Sequence, residues 1–137
     1  MSPEENKAII SRWDEELWKG NQTIYDECVA PNCIFHGIGG PEDHKQFING
    51  LRTAFPDVSL TVEDLLAEGQ KIATRWRMRG THQGELWGTA PTGKPVAITG
   101  ITIQQLAEGK IVEEWTQADV LGLQQQIGAT LVSPPSS

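Results

Sequence analysis

Residues Val96 to Asp119, VAITGITIQQLAEGKIVEEWTQAD, decide the fold. Branched residues crowd the stretch (Val96, Ile98, Thr99, Ile101, Thr102, Ile103, Ile111, Val112), and such side chains suit a pleated, half-buried surface. Two strands joined at Ala107-Glu108-Gly109 are the simplest reading. Glycine takes a positive φ at no steric cost, whereas Glu108 does not, so a three-residue turn with Gly109 as the bulge is expected over a two-residue type I′ turn. That register sets Trp115 opposite Ile101, Gln117 opposite Thr99 and Asp119 opposite Ala97. A period of two puts Ile111, Trp115, Gln117 and Asp119 on one face, which the two apolar residues mark as the buried one. Asp119 is then a carboxylate pointing where apolar residues point.

Upstream, Leu66-Ala67-Glu68-Gly69 leads to Ile72 and Trp76 much as Leu106-Ala107-Glu108-Gly109 leads to Ile111 and Trp115. The same hairpin solution is used twice in a meander. The strand over 58–67 alternates Val58, Leu60 and Val62 against polar residues, and the one over 71–82 alternates Ile72, Thr74, Trp76 and Met78 against Arg75, Arg77 and Arg79. The arginines share a face and are expected to pair with acidic neighbours. Residues 83–95, QGELWGTAPTGKP, form a long connection that can cover a pocket, with Leu86 and Trp87 as an apolar lid.

Helices fill the first 55 residues. Ser2 can cap, Pro3 fits the first helical position and Glu5 completes a capping box; Ile9, Ile10, Trp13 and Leu17 make the apolar stripe, and Gly20 stops it. A short helix over 22–29 ends before Pro31, and a short strand covers 32–36. A third helix from Pro41 or Glu42 carries Phe47, Ile48, Leu51 and Phe55 inward and closes at Pro56, with His44 in its solvated first turn. A last helical turn or two follows over 120–127, and 130–137 reads as a loose tail. The whole chain, 1–137, reads as one domain of the α+β class: a curved antiparallel sheet wrapped around N-terminal helices, with a cavity on the concave face.

The chain carries a formal charge of −7, which disfavours nucleic acid and anionic membranes as partners. A hydrophobic fraction of 38% and five tryptophans fit a packed core. No apolar run reaches the ~20 residues a membrane span needs, and the polar, acidic start is unlike a signal peptide. A cytoplasmic location is expected, with Cys28 and Cys33 reduced rather than bridged or metal-bound. No metal cluster, Ser/His/Asp set or phosphate-binding loop is visible.

In order of elements and local motifs, the chain resembles the SnoaL-like polyketide cyclases of the NTF2-like superfamily, whose fold is a cone-shaped α+β barrel. The resemblance rests on FPDVSLTVEDLLAEG (55–69), RWRMRGTHQGELWGTAPTGKPV (75–96) and ITIQQLAEGKIVEEWTQADVLGLQQQIG (101–128), with GPEDHKQFINGLRTAFPD before them. It implies a cofactor-free enzyme that closes a ring of a hydrophobic carbonyl compound by intramolecular aldol condensation. It also implies an aspartate acid/base on the last strand, which falls on Asp119. Family members carry a histidine on the preceding strand, where this chain has Gln104 and Gln105. A homodimer or higher oligomer through the convex sheet face is expected as well, with Val112 and Thr116 pointing outward.

Asp119 has two readings. Loss of solvation in a cavity raises a carboxyl pKa toward that of a group able to take and return a proton; alternatively the side chain caps the following helix through amides near Leu121 and Gly122. His82, where strand meets lid, is the second catalytic candidate or closes a turn. Trp13, His36, Trp87, Trp115, Gln117 and Gln105 are the candidate substrate contacts, since pockets are largely apolar and aromatic. An isomerase or epoxide hydrolase of the same fold, or a non-catalytic binding domain, would use the same cavity.

Overall fold

A computed structural model describes residues 1–128. The capping box forms at the head of α1 (Pro3–Lys19): the Glu5 amide donates to the Ser2 hydroxyl and the Ser2 amide to the Glu5 carboxylate, both at 3.1 Å. Gly20, at φ 87°, ends the helix in the left-handed region that glycine tolerates. Next come α2 (Ile24–Cys28), β1 (Val29–Phe35) and α3 (Pro41–Ala54). The strands β2 (Ser59–Glu68), β3 (Lys71–Thr81), β4 (Pro95–Ala107) and β5 (Lys110–Ala118) then lead into α4 (Val120–Gln126). The expected tail, 130–137, lies outside the described residues.

The four strands over 59–118 run antiparallel, as expected. β1 is longer than its apolar core suggests and adds itself parallel to β5, giving a five-stranded sheet in the order β1-β5-β4-β3-β2. Pro31 is accommodated because β1 is an edge strand and its pairing with β5 slips between Val29 and Ile34. Arg75 pairs with Asp64 at 2.7 Å and Arg77 with Glu63 at 3.5 Å, so two of the three sheet arginines have acidic partners.

The central hairpin differs from the expected one. Glu108 sits at φ 51° and Gly109 at φ 78°, so the connection is a two-residue turn with both φ positive, the type I′ geometry whose twist matches the flanking strands. The strand twist outweighs the cost at Glu108. Ala107 pairs with Lys110, Leu106 with Ile111 and Gln105 with Glu113, so Val112 is the extra residue of a β-bulge. Beyond the bulge Trp115 faces Ile103 and Gln117 faces Ile101, one step of two away from the expected partners. The bulge also inverts the alternation. Ile111 is fully buried, but the next buried residue is Glu114, and Trp115 turns to the convex face.

Two apolar clusters brace the concave side. Ile10, Trp13, Tyr25, Phe35, Ile72 and Ile111 are prominent in one; Phe55, Met78, Leu86, Ile98 and Leu123 anchor the other. Trp18 packs against both. Fully burying a side chain of this kind is worth about 1.5–3 kcal/mol. Between the clusters lies a cavity of about 400 Å³, large enough for a small organic molecule.

Candidate active site

The cavity wall is mainly apolar, drawn from α1 (Trp13, Leu17, Trp18), α3 (Phe47, Ile48, Leu51) and the sheet (Leu60, Trp76, Met78, Ile98). Its polar groups come in rows across the strands, because register places them side by side. Thr74, Thr102 and Thr116 are consecutive cross-strand partners on β3, β4 and β5, and Gln104 and Glu114 form the next row. The Trp76 indole N–H donates to the Thr102 hydroxyl at 3.0 Å, and that hydroxyl lies 2.9 Å from the hydroxyl of Thr116. Gly100 permits this arrangement: a Cβ there would fall 2.2 Å from the Trp76 ring.

Glu114 is a buried carboxyl on this wall. It is 7% exposed, and the Gln104 side-chain amide donates to its Oε1 at 2.8 Å. Its backbone carbonyl accepts from His36 N–H at 2.9 Å, which ties the residue to the β1 edge. The other carboxyl oxygen, Oε2, lies 3.7 Å from Nε2 of His44. Burial pushes Glu114 up to about 7; the Gln104 bond pulls it down, and the charge of Asp14 pushes it further up. Asp14, half-buried on the α1 wall, is itself raised to about 7 by loss of solvation; the surroundings of its carboxyl matter more here than the exposure of the residue as a whole. Burial lowers His44 to about 3, so its imidazole is neutral at physiological pH. Its ring stacks on Phe35 at 3.9 Å, and Nδ1 meets the Tyr25 hydroxyl at 2.5 Å. Burial also holds Tyr25 protonated, above its ordinary value. With that hydroxyl donating to Nδ1, the imidazole proton sits on Nε2 and faces Glu114. The result is a desolvated carboxyl, poised between its two protonation states, at the wall of an apolar cavity.

The sequence-derived candidates fall in different places. Trp13 lines the cavity and is 1% exposed; Trp87, 52% exposed, borders it as the lid residue. Gln117 borders it too. His36 lies at the rim, 2.6 Å from the Glu113 carboxylate and stacked on Trp115 at 5.1 Å. Trp115 itself is corrected to the convex side, where the Lys71 ammonium lies 5.8 Å from its ring, because the Val112 bulge shifts the phase of β5. Gln105 is corrected likewise: β4 turns its even-numbered residues inward, so Gln104 faces the cavity, while Gln105 stands between Lys71 and Glu113. Thr116 turns inward for the same reason.

Asp119 is corrected in position. It is exposed, lies outside the cavity wall and accepts from the Gly122 amide at 2.9 Å as the N-cap of α4. His82 is fully buried but also stands away from the cavity. Its Nδ1 accepts from the Thr92 amide at 3.2 Å, and its backbone pairs with Lys94 and Gly93, which straps the lid connection to the end of β3. His44, expected to be solvated, is 4% exposed. It occupies the same α3 stripe as Ile48 and Leu51, a spacing of four and three that carried the signal. Asp14 is in row with Ile10 and Trp18 on α1, again at spacings of four. Glu114 had no such signal, since a bulge inside Ile111-Val112-Glu113 leaves no mark on residue type. Cys28 and Cys33 are buried free thiols that burial raises to about 11 and about 12. Among the described residues no group of three or more His, Cys, Asp or Glu is placed to hold a metal ion. No helix among them is long and apolar enough to cross a membrane.

A curved sheet closed by helices is the plan of the NTF2-like α+β fold. The chain belongs to the SnoaL-like polyketide cyclase family, whose model matches residues 7–127. Among solved structures it resembles a proposed SnoaL-like polyketide cyclase from Jannaschia sp. CCS1, with TM-score 0.85 and 27% identity over 96% of this chain and 98% of that one. It also resembles IdmH, a proposed polyketide cyclase from Streptomyces antibioticus (TM-score 0.81, 28% identity, 90% and 99% covered). A third likeness is to AclR, a proposed hydroxylase from Streptomyces galilaeus (TM-score 0.86, 26% identity, 98% and 91% covered). Among curated proteins none matches the chain.

Proposed function

We propose that the protein is a cyclase that closes a ring in a hydrophobic carbonyl compound by acid/base chemistry, with Glu114 as the group that moves the proton. The observation that carries this reading is the Glu114 carboxyl, buried on the cavity wall and raised to about 7. As the carboxylate it removes a proton from carbon next to a carbonyl, leaving an enolate. The enolate carbon attacks a second carbonyl of the same molecule, forming the ring bond and an alkoxide. Protonated Glu114 then returns its proton to that oxygen, so no atom is gained or lost. A pKa near neutrality serves both halves of this cycle. The Thr116 hydroxyl, set up through Trp76 and Thr102, is positioned to donate to the developing oxyanion.

Double-bond isomerisation is the second reading. Asp14 on the helix wall and Glu114 on the sheet both stand near 7, so one carboxyl can take a proton and the other deliver one. Both readings share their first step, which is testable without the natural substrate. The wild type should speed exchange of the α-protons of 1-tetralone for deuterium, followed by NMR in heavy water. Glu114→Gln should lose about 10²–10⁴-fold of that acceleration, the usual share of a positioned base. Full exchange activity in Glu114→Gln, or its loss in Asp119→Asn instead, would reject the assignment.

We also place the protein in the cytoplasm, consistent with its two buried free thiols, and as a homodimer through the convex sheet face. The dimer is supported by an apolar row in which Leu66, Ala73, Ile103 and Trp115 are successive cross-strand partners.

A further inference from the structure

The deepest polar groups of the cavity do not satisfy one another. Gln104 is 1% exposed and Thr74 is 2% exposed; both line the cavity, and neither Oε1 of Gln104 nor the Thr74 hydroxyl has a hydrogen-bond partner among the described residues. Gln104 cannot resolve this by turning its amide over. With Glu114 as the carboxylate, the Gln104 Nε2 is committed to its Oε1 at 2.8 Å, and reversal would set a carbonyl oxygen against a carboxylate oxygen. Its free atom is therefore an acceptor that requires a donor. Thr74 supplies a donor and an acceptor on one oxygen. The two residues are diagonal neighbours on the same sheet face, since Thr74 pairs with Thr102 and Gln104 follows two positions later. Diagonal neighbours lie ~7–8 Å apart, close enough for one small group to bridge them.

We propose that the cavity floor is a hydroxyl-recognition site, in which an enol or phenol O–H of the ligand donates to Gln104 Oε1 and its oxygen accepts from the Thr74 hydroxyl. The neighbouring side chains narrow the ligand further. A carboxylate or phosphate at the floor would meet Glu114 beside Gln104 and Asp14 on the facing wall, with no lysine or arginine among the described residues of the lining to balance it. The ligand end that enters is thus neutral. A methyl ether lacks the proton Gln104 needs, and a deoxy compound lacks both functions. Apolar surroundings alone discriminate weakly against a missing hydroxyl, whereas unmatched buried polar groups discriminate strongly. This inference deepens the cyclase reading, because it fixes which end of a carbonyl compound lies beside Glu114. It is nonetheless a statement about binding and needs no turnover.

The test uses two probes of nearly equal shape, 1-naphthol and 1-methylnaphthalene, titrated against the full-length protein by tryptophan fluorescence and calorimetry. The quantity read is the ratio of their dissociation constants. In Thr74→Val, which keeps shape, and in Gln104→Met, the preference for the hydroxyl compound should fall roughly tenfold relative to wild type, with methylnaphthalene affinity little changed. Melting curves establish that each variant is folded, and Thr74→Val answers the question even if Gln104→Met does not fold. An unchanged ratio in Thr74→Val, equal losses for both probes, or no naphthol binding by the wild type up to its solubility limit would each overturn the proposal. A collapsed ratio together with normal exchange activity in Glu114→Gln would leave the floor site standing and the acid/base assignment rejected.

Discussion

Glu114 holds its place against its own interest in solvation, and that gives it a thermodynamic signature. Its folded pKa of about 7 exceeds the ordinary value of 4.5, so the folded protein holds a proton that the unfolded chain has released between those two pH values. Stability therefore falls as pH rises through this window, and the penalty is fully present above about 7. The shift corresponds to something on the order of 3 kcal/mol. Glu114→Gln keeps the acceptor for Gln104 and removes the penalty, so its melting temperature should exceed the wild type's at about pH 8 and match it near pH 4. Thermal unfolding of both proteins at the two pH values checks this, and His44, common to both, cancels. A gain of stability joined to a loss of proton exchange would mark a residue kept for chemistry. Much at this scale was legible beforehand. Apolar spacing and loop composition point to Trp13 and Trp87, and both border the cavity. The Asp119 cap was one of two local readings of a polar residue before a helix. Glu114 was hidden because its burial depends on a bulge whose residues, Ile111 to Glu113, look like any other strand.

At the scale of elements, the central hairpin combines a tight turn and a bulge. The turn places Glu108 at φ 51°, where a side chain is strained, and asparagine or glycine is favoured at that position of a type I′ turn. Glu108→Asn should stabilise the protein by about 0.5–1 kcal/mol, seen as a rise of several degrees in melting temperature. Gly100 makes the opposite case. A methyl there would meet the Trp76 ring at 2.2 Å and the Gln117 carbonyl at 2.8 Å, neither of which can give way freely inside the sheet. Gly100→Ala should cost roughly 1–3 kcal/mol and shift the Trp76 emission as the indole leaves Thr102. Element types and order could be read from capping residues and periodicity: Ser2, Pro3 and Glu5 announce α1, and the alternation of β3 survives intact. Register could not, because it turned on whether Glu108 would accept a positive φ. That depends on the twist of the strands it joins, which no local preference contains.

For the molecule as a whole, the convex face poses the main question. Leu66 is 66% exposed, Ile101 49% and Ile103 40%, a run of apolar surface across the middle of the sheet. If a second copy covers it, Ile103→Lys should yield monomers at micromolar concentration by sedimentation while the cavity still binds 1-naphthol. A wild type that sediments as monomer would count against the dimer. The overall architecture was legible as helices followed by a meander. The parallel seam between β1 and β5 was not, since β1 is a short edge strand interrupted by Pro31 and its partner lies near the far end of the sequence.

That seam has a consequence for how the molecule comes into being. His44, Tyr25 and Asp14 belong to the first third of the chain, whereas Glu114 and Gln104 belong to the last strands. β5 follows α1, α2 and α3 in synthesis only after three further strands, so until it emerges the nascent helices lack part of the sheet that covers their apolar faces. Contacts between distant segments carry a high closure entropy and form slowly. The pocket should thus be the last part to mature: in refolding, recovery of naphthol binding should follow the slowest phase, well after helical circular dichroism has returned.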